Sequence, residues 1–266
     1  MLNINLKGGL GIAQAQIKRE IIYRFDFLIW SIVIPSWIVM SYFLWQSIYS
    51  FSGQEVIRGM TFPIIISYYI ASLSVGIIAD AGFDDWFADK IRNGKLIKFL
   101  NYPMNLVQFM FFKWGTKRII NLVVFIPPLW ILGYFLVKFN PFNANILLTA
   151  TTVFMAVILN FSFVMLFALI AFWFKDIKGV KHLRQGITWF LAGSIIPLNF
   201  FPQWFQTMSY YLPFQYMRYV PARIMLGSTE FGYSIVLNQF IWVVIMIMIV
   251  AISWRKAMRQ FSGVGV

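Results

Sequence analysis

The stretch that decides the fold is residues 145–171, NILLTATTVFMAVILNFSFVMLFALIA, which contains no charged side chain. A helix that crosses the hydrocarbon core of a bilayer needs roughly 20 predominantly apolar residues. A charge at the centre of such a helix would cost about 2.5–3.5 kcal/mol on the insertion scale. The stretch therefore predicts a transmembrane helix.

Five further windows of similar character lie on both sides of this stretch and also lack charged residues. They are residues 27–50, 59–79, 119–137, 185–202 and 231–254. Only 12% of the 266 residues are charged, whereas an average soluble domain has about 25%. This composition excludes an ordinary cytosolic enzyme and a disordered chain. We expect an all-α polytopic membrane protein with six transmembrane helices in a single domain, residues 1–266.

Residues 1–26 precede the first window and show an amphipathic pattern. Leu10, Ala13, Ile17 and Ile21 recur at helical spacing, and the basic residues lie off that stripe. This pattern is typical of a helix that lies in the membrane interface. The alternative is a plain extension of the first span. A signal peptide is excluded because the apolar run begins after residue 26 and lacks a small-residue cleavage site.

The net charge of +13 is explained by topology rather than by a polyanionic partner. With the amino terminus inside and six alternating spans, 18 of the 22 lysines and arginines fall on the inner side. This bias follows the positive-inside rule and predicts that both termini are cytoplasmic. Inner basic clusters also attract anionic lipid headgroups, and the charge requires no nucleic acid.

The first inner loop, residues 80–118, is long for a simple connection. Its acidic residues come first and its basic residues follow, which is the order that a helix dipole favours. The sequence predicts a short cytoplasmic helix over residues 82–93. Such a helix either docks a partner or is a solvated loop helix without one.

Residues 195–230 are apolar but contain Pro197, Pro202, Pro213 and Pro221. A straight helix cannot hold prolines at this density. The pattern predicts short helices that enter the outer leaflet and return. The alternative is an ordinary outer loop with a misplaced fifth span.

The sequence lacks the usual motifs of catalytic chemistry. It has no GxxxxGK[ST] phosphate loop, no HExxH and no GxSxG, and it contains no cysteine and one histidine, His182. We therefore expect the chain itself to be neither an enzyme nor a metal or cofactor protein. A transport function powered by a separate soluble partner fits this inventory.

Two local motifs resemble those of the ABC-2 type permeases, in particular the short six-span permeases made as stand-alone subunits. The first motif is matched by Gly94, Leu96, Leu100 and Pro103. The second runs from residue 197 to 227 and is matched by Pro197, Phe201, Pro202, Leu212, Pro213, Phe214, Pro221 and Gly227. The layout of an interfacial amino-terminal helix, a coupling helix and re-entrant outer helices is similar over nearly the whole chain.

The resemblance implies a transmembrane subunit of an ATP-driven exporter in a bacterial inner membrane. Two such subunits, identical or paralogous, would pair with two ATP-binding subunits, and these partners would hold the ATP and Mg²⁺. The coupling contacts that it implies are Asp84, Asp85, Trp86, Asp89, Arg92 and Gly94. The re-entrant residues that it implies are Pro197, Phe201, Pro202, Pro213, Phe214 and Pro221.

Two other functions compete with this hypothesis. A secondary carrier or channel that is not driven by ATP would need an ionisable residue in the membrane, and Asp80 is the nearest candidate. A membrane-embedded enzyme that acts on lipid would rest only on the clustered aspartates of the first inner loop.

Overall fold

The computed structural model describes residues 6–22, 24–96, 99, 104, 106–142, 144–174, 178–228 and 233–260. Within these residues the chain forms ten α-helices and one antiparallel β-hairpin. The helices are α1 (Leu6–Ile22), α2 (Arg24–Ser52), α3 (Phe62–Ala79), α4 (Asp84–Arg92), α5 (Leu106–Val137), α6 (Ile146–Leu169), α7 (Lys178–Leu191), α8 (Gln203–Tyr210), α9 (Tyr219–Met225) and α10 (Tyr233–Gln260). The hairpin strands are β1 (Val56–Ile57) and β2 (Met60–Thr61). Three 3-10 turns cover Ile170–Phe172, Leu198–Phe200 and Phe214–Met217.

Five of the described helices, α2, α3, α5, α6 and α10, are long and apolar enough to cross a membrane. They overlap the predicted windows 27–50, 59–79, 119–137, 145–171 and 231–254. The prediction of an all-α polytopic membrane protein is therefore confirmed. Helix α5 begins at Leu106, ahead of its predicted window. The window began too late because the first turns of α5 carry basic residues, which an apolar window excludes.

The fifth predicted window, 185–202, differs from the structure. Helix α7 begins earlier, at Lys178, and ends at Leu191. It ends there because Gly193 adopts φ +74°, and the N–H groups of Gly193 and Ser194 close the helix by bonding Phe190 O and Trp189 O. Pro197 then prevents the helix from resuming. A continuous 18-residue span was therefore the wrong description of this window.

Helix α3 lies at the centre of the bundle and packs against α2, α5, α6 and α9. Residues all round its surface are buried, including Ile65, Ile66, Ile70 and Val75. It runs from the β-hairpin to α4, and these two features define the ends of the bundle. The hairpin end also holds the start of α6, and the α4 end holds the starts of α5 and α7 together with the close of α6 and α10.

Helix α1 packs along α5 through a glycine. Gly9 is buried, and a Cβ atom on it would lie 2.6 Å from the Phe112 ring. The predicted apolar stripe faces away from the bundle, since Leu10, Ile17 and Ile21 are exposed. An exposed apolar stripe is the surface that an interfacial helix would present to lipid.

Candidate coupling helix and return segment

Helix α4 lies within the predicted range 82–93, and it is anchored by apolar residues. Phe83, Phe87 and Ala88 are buried. The Phe87 ring lies 6.1 Å from that of Phe172 and 6.4 Å from that of Trp254. One side of α4 is thus packed on the ends of α6 and α10.

A buried ion pair joins α4 to α7. The Nε and Nη2 atoms of Arg184 each lie 2.8 Å from Oδ2 of Asp84. The two side chains are only 7% and 1% exposed. Removing one partner of such a pair leaves an uncompensated buried charge, so α4 and α7 are firmly tied at this point.

A second ion pair joins the same two helices nearer the surface. Lys181 donates to the carboxylate of Asp85, and their side chains are 26% and 54% exposed. An exposed pair of this kind contributes little to stability. Asp85 is therefore accessible to a partner, whereas Asp84 is not.

Trp86, an expected docking residue, packs within the chain. Its ring lies 5.3 Å from that of Phe99 and 5.2 Å from that of Trp114, and it stacks on Phe109 at 6.1 Å. The Nζ atom of Lys113 lies 4.1 Å from its centroid. These contacts give Trp86 a structural role in holding α4 against α5.

The remaining expected contacts lie at the end of α4. Asp89 is 43% exposed and accepts a hydrogen bond from Asn93 Nδ2 at 2.7 Å. Gly94 follows the helix with φ +62°, a conformation that favours glycine. The side chain of Arg92 lies outside the described residues, as do Leu100 and Pro103 of the first motif.

Residues 192–228, called the return segment, are broken into short helices and turns, as the prolines predicted. Helix α9 is entirely buried and packs against α3 and α6. The expected residues take several positions. Three of the prolines are buried: Pro197, Pro213 and Pro221. Pro202 occupies the N-cap position of α8. The Phe201 ring stacks on Phe205 at 4.5 Å, and the Phe214 ring contacts Phe163 edge-on at 5.4 Å.

Two tyrosines of α3 satisfy the backbone where α7 ends. Tyr68 Oη donates to the carbonyl of Gly193 at 2.6 Å, and Tyr69 Oη donates to that of Ile195 at 2.7 Å. Carbonyl groups at the end of a helix have no partner inside it. The tyrosines thus hold this irregular backbone against α3.

A long-range ion pair connects the return segment to the end of α3. Arg218 donates to the carboxylate of Asp80, and the Arg218 side chain is 7% exposed. Its guanidinium passes over Gly76, where a Cβ would lie 2.6 Å from Cζ. Nearby, Arg118 Nη1 donates to the carbonyl of Ile77 at 3.4 Å. The sequence alone does not reveal this pair, because no local signal links residues 138 positions apart.

Comparison with known proteins agrees with this architecture. A family model described as ABC-2 family transporter protein matches residues 36–265, which extends from within α2 to beyond α10. A search of curated proteins found no match. The chain therefore belongs to the ABC-2 family and is a multi-pass transmembrane permease of an ABC transporter.

Proposed function

We propose that this permease exports its substrate by alternating access, driven by a separate ATP-binding subunit that contacts α4. Two ATP-binding subunits and a second permease, identical or paralogous, would complete the transporter. The partners would bind ATP and Mg²⁺, and this chain would not hydrolyse ATP. Membership of the family supports association with an ATP-binding subunit in general.

The proposed topology has six spans, with both termini cytoplasmic in a bacterial inner membrane. Helix α7 and the residues up to Pro197 would form the fifth span, and the return segment would re-enter from the outer face. Irregular backbone is tolerated at membrane depth where it is buried in protein. The hydrogen bonds from Tyr68 and Tyr69 to the end of α7 support this proposal.

The observation that carries the proposal is the buried pair between Asp84 and Arg184. Because α4 is tied to α7 there, a force applied to α4 passes directly to α7. Helix α7 leads into the return segment, whose Arg218 contacts the end of α3. Alternating access requires that the partner bind the two states of the permease with different affinity.

The docking surface is tested by reversing a charge on the exposed side of α4. Asp89→Lys is expected to reduce the amount of ATP-binding subunit that co-purifies with the permease. Glu55→Lys is the matched control, because Glu55 is exposed at the hairpin end and undergoes the same change of charge. Equal recovery of the partner with both variants would argue against docking on α4.

The carrier hypothesis loses its support in this geometry. Asp80 was the residue that suggested ion coupling, and its carboxylate is bound by a guanidinium. Asp80 is better explained as a contact between α3 and the return segment.

A further inference from the structure

Four basic side chains from three helices come together at the α4 end. This cationic cluster consists of Arg19 in α1, Lys90 in α4, and Lys113 and Lys117 in α5. Lys113 interacts electrostatically with each of the other three. Its Nζ atom also lies over two indole rings, 4.1 Å from the centroid of Trp86 and 4.6 Å from that of Trp114.

The acidic side chains near the cationic cluster do not compensate Lys113. Glu20 lies 3.7 Å from Lys117, and Asp89 lies 3.1 Å from Lys90. In the described part of the chain, no carboxylate lies within ion-pair distance of Lys113. The indole rings attract its charge, but they do not neutralise it. The cluster therefore favours an anionic ligand.

The position of the cationic cluster indicates where that ligand comes from. Beyond Arg118, helix α5 presents an apolar surface on the same face as Lys113 and Lys117, on which Val124 and Ile131 are 37% and 58% exposed. In a membrane this surface borders acyl chains, and the cations lie at the depth of the headgroups. Tryptophan together with lysine is typical of that interface. A free anion would use only the charges, whereas a lipid would also cover the apolar surface.

We propose that the cationic cluster binds the phosphate of an anionic phospholipid headgroup, with Lys113 as its central contact. The acyl chains of the lipid lie along α5 from Val124 onward. Each basic side chain near an anionic surface contributes about 1 kcal/mol, which is about fivefold in binding. The bound lipid stabilises the contact of α1, α4 and α5.

The test compares the full-length protein in vesicles of phosphatidylcholine and in an equimolar mixture with phosphatidylglycerol. The readout is the midpoint of thermal unfolding, followed by tryptophan fluorescence. We expect the unmodified protein to unfold at a higher temperature in the mixed vesicles. Lys113→Met should lose at least half of this lipid-dependent shift, and Lys113→Arg should keep it. If Lys113→Met does not fold, Lys117→Met is expected to show the same loss, since the Lys117 side chain is 44% exposed.

Lys138→Met is the matched control. Lys138 also lies over an aromatic ring, 4.9 Å from the centroid of Tyr134, but at the opposite end of α5. An unchanged shift in Lys113→Met, or an equal loss in Lys138→Met, would overturn the proposal. Inorganic phosphate is added to the phosphatidylcholine vesicles as a further arm. If it raises the midpoint as much as phosphatidylglycerol does, the cluster binds free phosphate and the assignment to lipid is wrong.

Discussion

The buried pair between Asp84 and Arg184 leads to the sharpest prediction about stability. The change is Asp84→Asn, which preserves shape and removes one charge. Arg184 would remain 7% exposed without a carboxylate. Both of its hydrogen bonds end on Oδ2 of Asp84, so the guanidinium depends on a single oxygen.

The magnitude follows from the burial of the two side chains. Breaking a buried ion pair by removing one partner costs about 3–5 kcal/mol. Because asparagine keeps a hydrogen-bond acceptor, we expect the lower end, about 3 kcal/mol. The control is Asp85→Asn, which breaks the pair with Lys181 on the same two helices. That pair is largely exposed, so its loss should cost about 0.2–1 kcal/mol.

The assay is reversible unfolding in mixed micelles, followed by the fluorescence of the 11 tryptophans. A double variant, Asp84→Leu with Arg184→Met, adds a second comparison. Replacing a whole buried pair by apolar residues is often neutral, so the double variant should be more stable than Asp84→Asn. The reasoning is refuted if Asp84→Asn and Asp85→Asn have equal effects, or if the double variant is the least stable of the three.

Two glycine contacts give further predictions. Gly76→Ala should displace Arg218 from Asp80 and destabilise the protein by about 1–3 kcal/mol in the same unfolding assay. Gly82→Ala is the control, and it should have little effect because a Cβ there meets open space. Gly9→Ala should push α1 away from Phe112 and increase the cleavage of α1 by protease, whereas Gly11→Ala on the same helix should not. Equal cleavage of the two variants would contradict the packing of α1 on α5.

The apolar windows of the long helices could be predicted from the sequence because the bilayer requires length and hydrophobicity, and both are local properties. The prediction of a span over residues 185–202 was wrong because it also used only these local properties. This window is apolar and uncharged, but it begins inside α7 and runs past Gly193 and Pro197, which end the helix. Because the windows exclude charged residues, the prediction also missed the start of α7. Lys181 and Arg184 lie there and form ion pairs with α4.

Helix α4 could be located from its order of charges, but the direction of its side chains could not. Asp84 and Asp85 are neighbours in sequence, yet one is buried and the other is exposed. Their partners lie about a hundred residues away, on α7. The sequence predicts Trp86 as a docking residue, but in the structure its ring packs against those of Phe99 and Trp114. These roles depend on tertiary packing, which local patterns do not contain.

In the proposed transporter, an ATP-binding partner acts on α4 and thereby moves α7. Because the chain has no cysteine, spin labels can be placed at Ile64 in α3 and Leu183 in α7, both of which are exposed. The most direct measurement is the distance between these labels in the assembled transporter, with labelled permease diluted by unlabelled chain. A non-hydrolysable ATP analogue should change this distance in the parent and in Glu55→Lys, but not in Asp84→Asn. An unchanged distance in the parent, or the same change in Asp84→Asn, would contradict the account.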